Sequence, residues 1–282
     1  MHSLKPYFHL MRLHRPIPIF MILWPTLWGL FSSSKDIPSL KILLIFILGS
    51  IFMRTAGCIL NDICDRKIDI LVERTKNRPL ANGTASIKVS LIIFFLLIFS
   101  SLFLVLALNF LCLFLSFLGL LLVFIYPFCK RFFFMPQIIL GIVFNFGVLI
   151  AFSAVENSLS GICFLLYFSA VFWTISYDTI YALPDKSFDM DLKLKSSAIF
   201  FGKYVAFGII LSQILMLFFL LAFGIFSNYN YFYYFVLTFI IFLFFFQYYN
   251  WKKFDTENCL KSFHSNHWVG LIVFCAILTQ KF

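Results

Sequence analysis

Nine long runs of apolar residues follow one another along the chain, separated by short segments that carry charged residues, proline, glycine or asparagine. Most runs approach or exceed the roughly 20 residues that a helix needs to cross about 30 Å of hydrocarbon. They lack the inward and outward alternation of barrel strands, so the pattern predicts an all-α polytopic membrane protein. The predicted spans are residues 16–33, 40–62, 88–108, 110–127, 137–155, 161–183, 199–225, 231–250 and 267–280.

Composition narrows the class of protein further. Hydrophobic residues make up 62% and charged residues 12% of the 282 residues, and the mean hydropathy is +0.98. Soluble domains contain about 45–50% apolar and about 25% charged residues. A water-soluble fold is therefore excluded, and residues 1–282 are expected to form a single membrane-embedded domain. The seven cysteines include no CxxC pair, which argues against a disulfide or zinc framework.

Basic residues concentrate on one side of the predicted bundle. If the nine spans alternate in direction, 18 of the 22 Lys and Arg residues fall on the side of the N-terminus, three fall on the other side, and Arg54 lies within the second span. The positive-inside rule then predicts a cytoplasmic N-terminus and explains the net charge of +10. No basic stripe with interleaved aromatic residues stands outside the membrane-flanking loops, so binding to nucleic acid is not expected.

Acidic residues cluster more sharply than any other residue type. Eight of the twelve Asp and Glu residues fall in two windows, which are Asp62, Asp65, Asp69 and Glu73 after the second span and Asp178, Asp185, Asp189 and Asp191 at the end of the sixth. Each window contains two aspartates four residues apart, a spacing that places both on one face of a helix. Extending this register predicts two stripes, Asn61, Asp65 and Asp69 on one helix and Asp178, Asp185 and Asp189 on another. Pro184, just before Asp185, is expected to bend or end the sixth helix and to change the direction of Asp185 and Asp189. Both windows follow even-numbered spans, so both are expected on the cytoplasmic side.

Two facing carboxylate stripes repel each other by about 2–3 kcal/mol per pair at about 6 Å, which predicts a cation between them. Oxygen ligands without His or Cys favour Mg²⁺, Mn²⁺ or Ca²⁺, and Mg²⁺ commonly binds one or two carboxylates together with substrate phosphates. Basic residues that suit a phosphate accompany the acids, namely Arg66, Lys67, Arg74, Lys76, Arg78, Lys186, Lys193 and Lys195. The alternative is two mixed-charge loops that pair with each other at the membrane surface. The duplication of the pattern on one side favours a diphosphate site.

Arg54 is predicted to lie inside the membrane. It precedes Asn61 by seven residues, which places it within about 20° of the same helical face and about 10 Å deeper. A buried arginine is costly unless it is paired, and the chain offers no obvious intramembrane acid as a partner. A salt bridge or backbone contact in the bundle is the alternative. We expect Arg54 to bind an anionic group, such as the carboxylate of a second, smaller molecule.

The residues of both acidic windows resemble those of a known family. Two signatures of the UbiA superfamily of intramembrane prenyltransferases are similar to the two acidic windows, namely residues 61–69 with 74–80 and residues 177–189 with Lys195-Ser196. Further similar stretches are Arg15-Pro16 and residues 23–28, 53–58, 126–131 and 267–271. The resemblance is closest to the branch that acts on 4-hydroxybenzoate.

The resemblance implies nine helices around a central cavity, dependence on Mg²⁺, and a bacterial inner-membrane location. It implies transfer of a polyprenyl group from polyprenyl diphosphate to the ring carbon ortho to the phenol of 4-hydroxybenzoate, a step of ubiquinone biosynthesis. The aspartates would be catalytic, and the metal and diphosphate would be held by Asn61, Asp65, Asp69, Asp178, Asp185 and Asp189. Arg78 and Lys130 would contact diphosphate, Arg54 would bind the benzoate carboxylate, and the substrate-binding residues would also include Tyr126, Tyr177 and Lys195. Pro184 and Asp191 depart from the family pattern in the second window.

Three other functions are compatible with parts of the sequence. A related prenyltransferase could use another aromatic acceptor, such as a naphthoate or homogentisate. A transporter also carries intramembrane charge, but its sites usually lie near the midplane on broken helices, whereas these acids cluster at one rim. A structural or assembly protein would not need the aspartates. The lipid bilayer is the expected surrounding, and no obligatory protein partner is evident in the sequence.

Overall fold

The computed structural model describes residues 5–14 and 16–282, so Arg15 of the Arg15-Pro16 pair lies outside the described residues. The described chain is built from α-helices, two short 3-10 turns and the segments that connect them. The α-helices are α1 (Lys5–Leu10), α2 (Ile17–Ser33), α3 (Leu40–Asp69), α4 (Ile87–Val105), α5 (Phe110–Phe132), α6 (Pro136–Phe144), α7 (Phe146–Glu156), α8 (Gly161–Ala182), α9 (Lys186–Asp191), α10 (Ser197–Phe201), α11 (Val205–Phe226), α12 (Tyr231–Trp251) and α13 (Thr256–Leu278).

Short polar side chains begin several of the long helices. The first backbone N–H groups of a helix have no partner within it, and a side-chain oxygen just before the helix can accept from one of them. Asn109 accepts a hydrogen bond from the Cys112 N–H at 2.9 Å at the start of α5. Asp255 does the same for the Asn258 N–H at 2.9 Å at the start of α13. The asparagine that separates the third and fourth predicted spans is therefore a helix cap.

Seven helical segments of the described residues are long and apolar enough to cross a membrane. They are Leu40–Asp69, Ile87–Val105, Phe110–Phe132, Pro136–Glu156, Gly161–Ala182, Ser197–Phe226 and Tyr231–Trp251. The first predicted span corresponds to α2, which is apolar but has only 17 residues. The last corresponds to α13, which begins at Thr256 rather than near 267 and carries charged and polar residues in its first half. The all-helical architecture is confirmed, and the count of nine spans is not.

Two of the predicted spans are interrupted helices. Asn145 separates α6 from α7, and its buried side chain donates to the Gly141 carbonyl at 2.7 Å and to Thr174 Oγ1 at 2.9 Å. Gly202 separates α10 from α11 with φ of +54°, a conformation that glycine adopts without the steric cost of a side chain. Apolar periodicity alone does not reveal either break, because the flanking residues remain apolar.

Tryptophans of α2 and α8 form the centre of the core together with α13. Trp28 and Trp173 pack with their ring centroids 5.2 Å apart, and both are fully buried. Their indole N–H groups donate to the Gly270 carbonyl and to Asn266 Oδ1, each at 2.9 Å. A side chain at Gly270 would lie 2.3 Å from the Trp24 ring, so only glycine permits this contact between helices. The hydrogen bonds let large polar-tipped rings stay in an apolar interior.

Candidate active site

A cavity of about 1870 Å³ opens within the helix bundle. It is lined by all twelve residues that the sequence predicted for the site, namely Arg54, Asn61, Asp65, Asp69, Arg78, Tyr126, Lys130, Tyr177, Asp178, Asp185, Asp189 and Lys195. The first acidic window reaches the cavity from the end of α3. The second reaches it from the end of α8 and from the segment around α9. The fold therefore brings together two windows that are more than 100 residues apart in the chain.

The first window is a continuous helical stripe. Asn61, Asp65 and Asp69 lie on α3 at intervals of four residues and all line the cavity. Both aspartates are buried, with exposed fractions of 7% and 6%. Asp62 also lines the cavity and is almost fully buried. The α3 helix thus carries three buried carboxylates at its last two turns.

Arginines neutralise part of this charge. Arg78 Nη1 donates to both carboxylate oxygens of Asp69 at 2.9 and 2.8 Å, and to Asp62 Oδ1 at 3.2 Å. Arg12, from the segment that follows α1, donates to the same Asp62 oxygen at 2.6 Å. Charge-assisted bonds of this kind are the strong ones among protein hydrogen bonds. Arg12 lies 50 residues from Asp62 in the chain, so no local sequence pattern links the two residues.

The second window does not follow a single helical register. α8 ends at Ala182, two residues before Pro184, and Asp185 lies at the turn that precedes α9. Proline cannot continue a helix without losing a backbone hydrogen bond, which explains the break. Asp178 therefore lies on one helix and Asp189 on another. All three aspartates reach the cavity, but the expected stripe at positions i, i+7 and i+11 is wrong in its geometry.

A guanidinium joins the two windows directly. Arg74, which follows the first window, forms a bidentate salt bridge with Asp185 of the second and also donates to the Tyr181 hydroxyl. Its guanidinium carbon lies 4.7 Å from the centroid of the Tyr181 ring. The repulsion expected between the facing carboxylates is thus offset partly by arginines of the chain itself. A metal ion is not required to bring Asp185 close to the first window.

Three carboxylates remain outside these salt bridges. Within the described residues, Asp65, Asp178 and Asp189 take part in no salt bridge, although all three line the cavity. For Asp189, burial raises the pKa to about 6, against the opposing attraction of Lys130 and with a further increase from the neighbouring Asp185. A desolvated carboxylate without an ion-pair partner is energetically costly. These three side chains can therefore bind a cation without first giving up a salt bridge.

The donor set fits Mg²⁺ that arrives with a phosphate. No group of three or more His, Cys, Asp or Glu side chains in the described part of the chain could by itself hold a metal ion. The cavity instead offers oxygen donors from both sides, Asn61 and Asp65 on α3 and Asp178 and Asp189 on the other. Mg²⁺ typically binds through one or two carboxylates, water and substrate phosphates, so such a divided site suits it.

A cationic side chain lies deeper in the cavity, at Arg54. Its Nε donates to the Pro18 carbonyl at 3.3 Å, and its Nη1 donates to the sulfur of Cys58. Its guanidinium carbon lies 5.7 Å from the centroid of the Phe144 ring. No acidic side chain of the described residues forms a salt bridge with Arg54. Because a guanidinium has five N–H donors, several remain for a ligand.

Two tyrosines line the same cavity. Tyr126 lies on α5, and Tyr177 lies on α8 next to Asp178. The Tyr177 ring is held edge-on by Trp173 and Phe263, at centroid distances of 5.3 and 5.8 Å. Its buried hydroxyl has no hydrogen-bond partner within the described residues. A buried hydroxyl normally finds a partner, so this group is available to a polar ligand.

An apolar part of the cavity, here called the apolar arm, is lined by residues of α4 and α5. Its walls include Leu102 and Val105 of α4 and Leu113, Phe114 and Phe117 of α5. Phe114 and Phe117 are also 49% and 58% exposed, so they contribute to the outer surface of the bundle as well as to the cavity wall. The arm therefore reaches toward the surface that faces lipid. This shape suits a long hydrocarbon chain.

Four residues that contact the site were not predicted as site residues from the sequence. They are Arg12, Arg74, Gln137 and Tyr181. Arg74 was named only as one of several basic residues near the acidic windows. Arg74 directly follows the first acidic window and Tyr181 lies within the second, so their position alone could have suggested them. Gln137 and Arg12 lie far from both windows along the chain, and only the tertiary contacts reveal their partners.

The site and the fold define an intramembrane prenyltransferase. Residues 22–275 match the UbiA prenyltransferase family. The chain belongs to this family.

Curated relatives match almost the whole chain. A protein of Francisella tularensis subsp. novicida (strain U112) named 4-hydroxybenzoate octaprenyltransferase is 46% identical over 278 residues, which are 99% of this chain and 98% of the relative. A protein of the same name from Pasteurella multocida (strain Pm70) is 44% identical over 272 residues, with coverage of 96% and 94%.

Solved structures share the fold. A UbiA homolog from Aeropyrum pernix K1 superposes with a TM-score of 0.80 at 23% identity, covering 94% of this chain and 98% of that one. A UbiA homolog from Archaeoglobus fulgidus bound to DMAPP and Mg²⁺ superposes with a TM-score of 0.72 at 14% identity, covering 98% of each chain.

Proposed function

We propose that this chain transfers a polyprenyl group from polyprenyl diphosphate to the ring carbon ortho to the phenol of 4-hydroxybenzoate, a step of ubiquinone biosynthesis. The observation that carries the proposal is a single cavity with three chemically distinct regions. It has an acidic and basic rim, a deeper guanidinium and an apolar arm toward lipid. The near full-length identity of 46% and 44% to relatives named for this reaction supports the same acceptor.

The diphosphate belongs at the rim, where both charge signs meet. Asn61, Asp65, Asp69, Asp178, Asp185 and Asp189 would hold Mg²⁺ together with the diphosphate oxygens. Bound Mg²⁺ supplies Lewis-acid stabilisation of the charge that develops on the departing diphosphate. Arg78, Lys130 and Lys195 line the same region and would contact the diphosphate directly. Arg78 and Arg74 now bind Asp69 and Asp185, and diphosphate oxygens can replace those carboxylates as acceptors.

The acceptor belongs deeper, against Arg54. Its guanidinium would bind the carboxylate of 4-hydroxybenzoate in a bidentate manner, the geometry for which arginine is best suited. Tyr126 and Tyr177 line the cavity, and their hydroxyls would orient the ring. A carboxylate held at Arg54 directs the phenol end of the ring toward the diphosphate, so the carbon ortho to the phenol meets the allylic carbon.

The apolar arm would hold the polyprenyl tail and keep water from the reacting carbon. Breaking the allylic carbon–oxygen bond leaves a carbocation that water would quench, so an apolar environment is required. Aromatic side chains that line the cavity can stabilise this cation by about 1–2 kcal/mol each. The electron-rich ring then attacks, and loss of the ring proton restores aromaticity.

We further propose that α2 and α13 also lie in the membrane, which gives nine spans around the cavity in one domain. Polar contacts support this alternation, because Lys281 after α13 donates to the Lys35 carbonyl after α2 at 3.3 Å. The Asn230 N–H before α12 likewise donates to Gln280 Oε1 at 2.9 Å. The charge distribution supports a cytoplasmic N-terminus and cytoplasmic acidic windows. The bacterial source of the relatives supports a bacterial inner membrane.

The function is tested by incubating membranes that contain the protein with radiolabelled 4-hydroxybenzoate and prenyl diphosphates of several lengths. We expect labelled product that partitions into organic solvent, with a preference among chain lengths. Membranes without the protein are the control. Prenylation of a labelled naphthoate or homogentisate in place of 4-hydroxybenzoate would assign a different acceptor. Movement of an anion into vesicles without any prenylation would support a transporter instead.

Replacing Arg54 by alanine should raise the KM for 4-hydroxybenzoate more than the KM for the prenyl diphosphate. A hydrogen bond to a charged group contributes about 1.5–3 kcal/mol, so the expected rise is about 10- to 100-fold. Steady-state kinetics with each substrate varied in turn measures the two values. Arg66→Ala is the matched control, because Arg66 lies on the same helix, donates to the Ile63 carbonyl and does not line the cavity. A larger rise in the KM for the prenyl diphosphate would indicate that Arg54 binds the diphosphate and not the benzoate carboxylate.

A further inference from the structure

Gln137 connects three segments of the site by hydrogen bonds. It lies in the first turn of α6 and lines the cavity, and only 4% of it is exposed. Its side-chain Oε1 accepts from the Ser197 N–H at 2.8 Å. Its Nε2 donates to Asp178 Oδ2 at 3.3 Å. Asp178 is one of the three cavity carboxylates that form no salt bridge within the described residues. The Gln137 amide makes a direct hydrogen bond to this carboxylate.

The orientation of the Gln137 amide follows from its partners. A backbone N–H can only donate, so the oxygen of the amide must face Ser197. The NH₂ group is then forced toward Asp178, where it donates to an acceptor. A carboxylate oxygen accepts such a hydrogen bond. Reversing the amide would place its oxygen against the carboxylate and its NH₂ against another donor, which is unfavourable at both ends.

Ser197 is itself held close to Asp178. Its hydroxyl shares a hydrogen bond of 2.7 Å with the hydroxyl of Thr179, the residue after Asp178. Two residues earlier, the Lys195 N–H donates to the Lys130 carbonyl at 2.7 Å. The segment that returns from α9 to α10 is therefore anchored to α5, α6 and α8. Of the residues that anchor this segment, Gln137 is the one whose side chain also bonds to a carboxylate of the cavity, that of Asp178.

We infer that Gln137 is a positioning residue that orients the Asp178 carboxylate toward the cavity for binding of the divalent cation and diphosphate. This inference rests on the proposed function. The partners that hold a metal-binding carboxylate typically change metal affinity by about 10- to 100-fold when they are removed. Gln137 would therefore act on metal binding through Asp178, whereas the acceptor site at Arg54 would be unaffected.

The test measures Mn²⁺ binding to the purified full-length protein with an unreactive prenyl thiodiphosphate, by electron paramagnetic resonance of free Mn²⁺. Gln137→Met keeps the length of the side chain and removes both hydrogen bonds, and we expect at least about 10-fold weaker Mn²⁺ binding. The KM for 4-hydroxybenzoate should stay unchanged. Gln213→Met is the matched control, because Gln213 is also buried but bonds to Gln247 and does not line the cavity.

Ser197→Pro is a second substitution that should weaken Mn²⁺ binding. Ser197 is the first residue of α10, where proline is tolerated, and the preceding Ser196 has the extended conformation that proline favours. The substitution removes the N–H that fixes the Gln137 amide, so weaker Mn²⁺ binding is again expected. Ser197→Ala keeps the N–H and removes only the hydroxyl, and it should bind Mn²⁺ like the wild type.

Wild-type Mn²⁺ affinity in Ser197→Pro, or in a folded Gln137→Met protein, would overturn the positioning role. Equal weakening in Ser197→Pro and Ser197→Ala would also overturn it, since the loss would then come from the hydroxyl contact. These outcomes are distinct from failure of the proposed function. In that case the wild-type protein itself would not prenylate 4-hydroxybenzoate, and the positioning role would fall with it.

Discussion

Replacing Asp65 by asparagine is expected to lower kcat/KM by about 10³-fold, which corresponds to about 4 kcal/mol of lost transition-state stabilisation. Asp65 lines the cavity, is 7% exposed and forms no salt bridge within the described residues. Its charge is therefore free to bind a cation. Asparagine keeps the shape and one oxygen ligand and removes only the charge. Steady-state kinetics of the purified variant with both substrates measures the effect.

The second acidic window provides a matched control for this substitution. Asp191 is the last residue of α9, is exposed and does not line the cavity. Asp191→Asn removes the same charge only two residues from Asp189, and we expect activity near that of the wild type. Equal loss of activity in Asp65→Asn and Asp191→Asn would point to the overall charge of the rim. Wild-type rates in Asp65→Asn would show that the Asp65 charge takes no part in the reaction.

Removal of divalent cations should abolish prenyl transfer, and added Mg²⁺ should restore it. Among the described residues, three carboxylates of the cavity form no salt bridge, and a diphosphate would bring further negative charge next to them. Without a cation these groups repel each other, so binding of the prenyl diphosphate and departure of diphosphate both become unfavourable. The measurement is the prenylation rate of protein treated with excess EDTA and then titrated with Mg²⁺.

The matched control uses a chelator that binds Ca²⁺ much more tightly than Mg²⁺, such as EGTA, in the presence of Mg²⁺. Prenylation activity should persist with EGTA and Mg²⁺, which would show that the reaction depends on Mg²⁺ and not on Ca²⁺. Full activity in excess EDTA would show that the arginines and lysines of the rim alone support the reaction. Folding of the protein under each condition is checked by size-exclusion chromatography, because loss of a cation can also weaken the bundle.

Local patterns explain why part of the site could be predicted. Asn61, Asp65 and Asp69 share one face because a helix repeats every 3.6 residues, and α3 is continuous through all three positions. Arg54 lies on the same helix, so its place deeper in the cavity followed from the same periodicity. These inferences need no knowledge of any other segment. They depend only on the helix remaining regular.

The second window shows where local reasoning fails. Pro184 ends the regular register, and the direction in which Asp185 and Asp189 then point depends on how α9 packs. The same limit applies to Arg12, Arg74 and Gln137, whose partners are 50, 111 and 41 residues away. Contacts of this kind are set by tertiary packing. From the sequence alone, the facing carboxylates were expected to need a cation. In the folded chain, arginines already neutralise several of them.

Hydropathy and helical periodicity are enough to predict a helical membrane protein with two similar acidic windows, and one arginine deeper on the helix that carries the first window. Both signals act over a few turns, so they can be read from the chain without knowledge of its other segments. The pairing of carboxylates with arginines, the carboxylates left open in the cavity and the contact of Gln137 with Asp178 become visible only in the folded protein. These features depend on the packing of helices that are distant in the chain, and no local pattern encodes them.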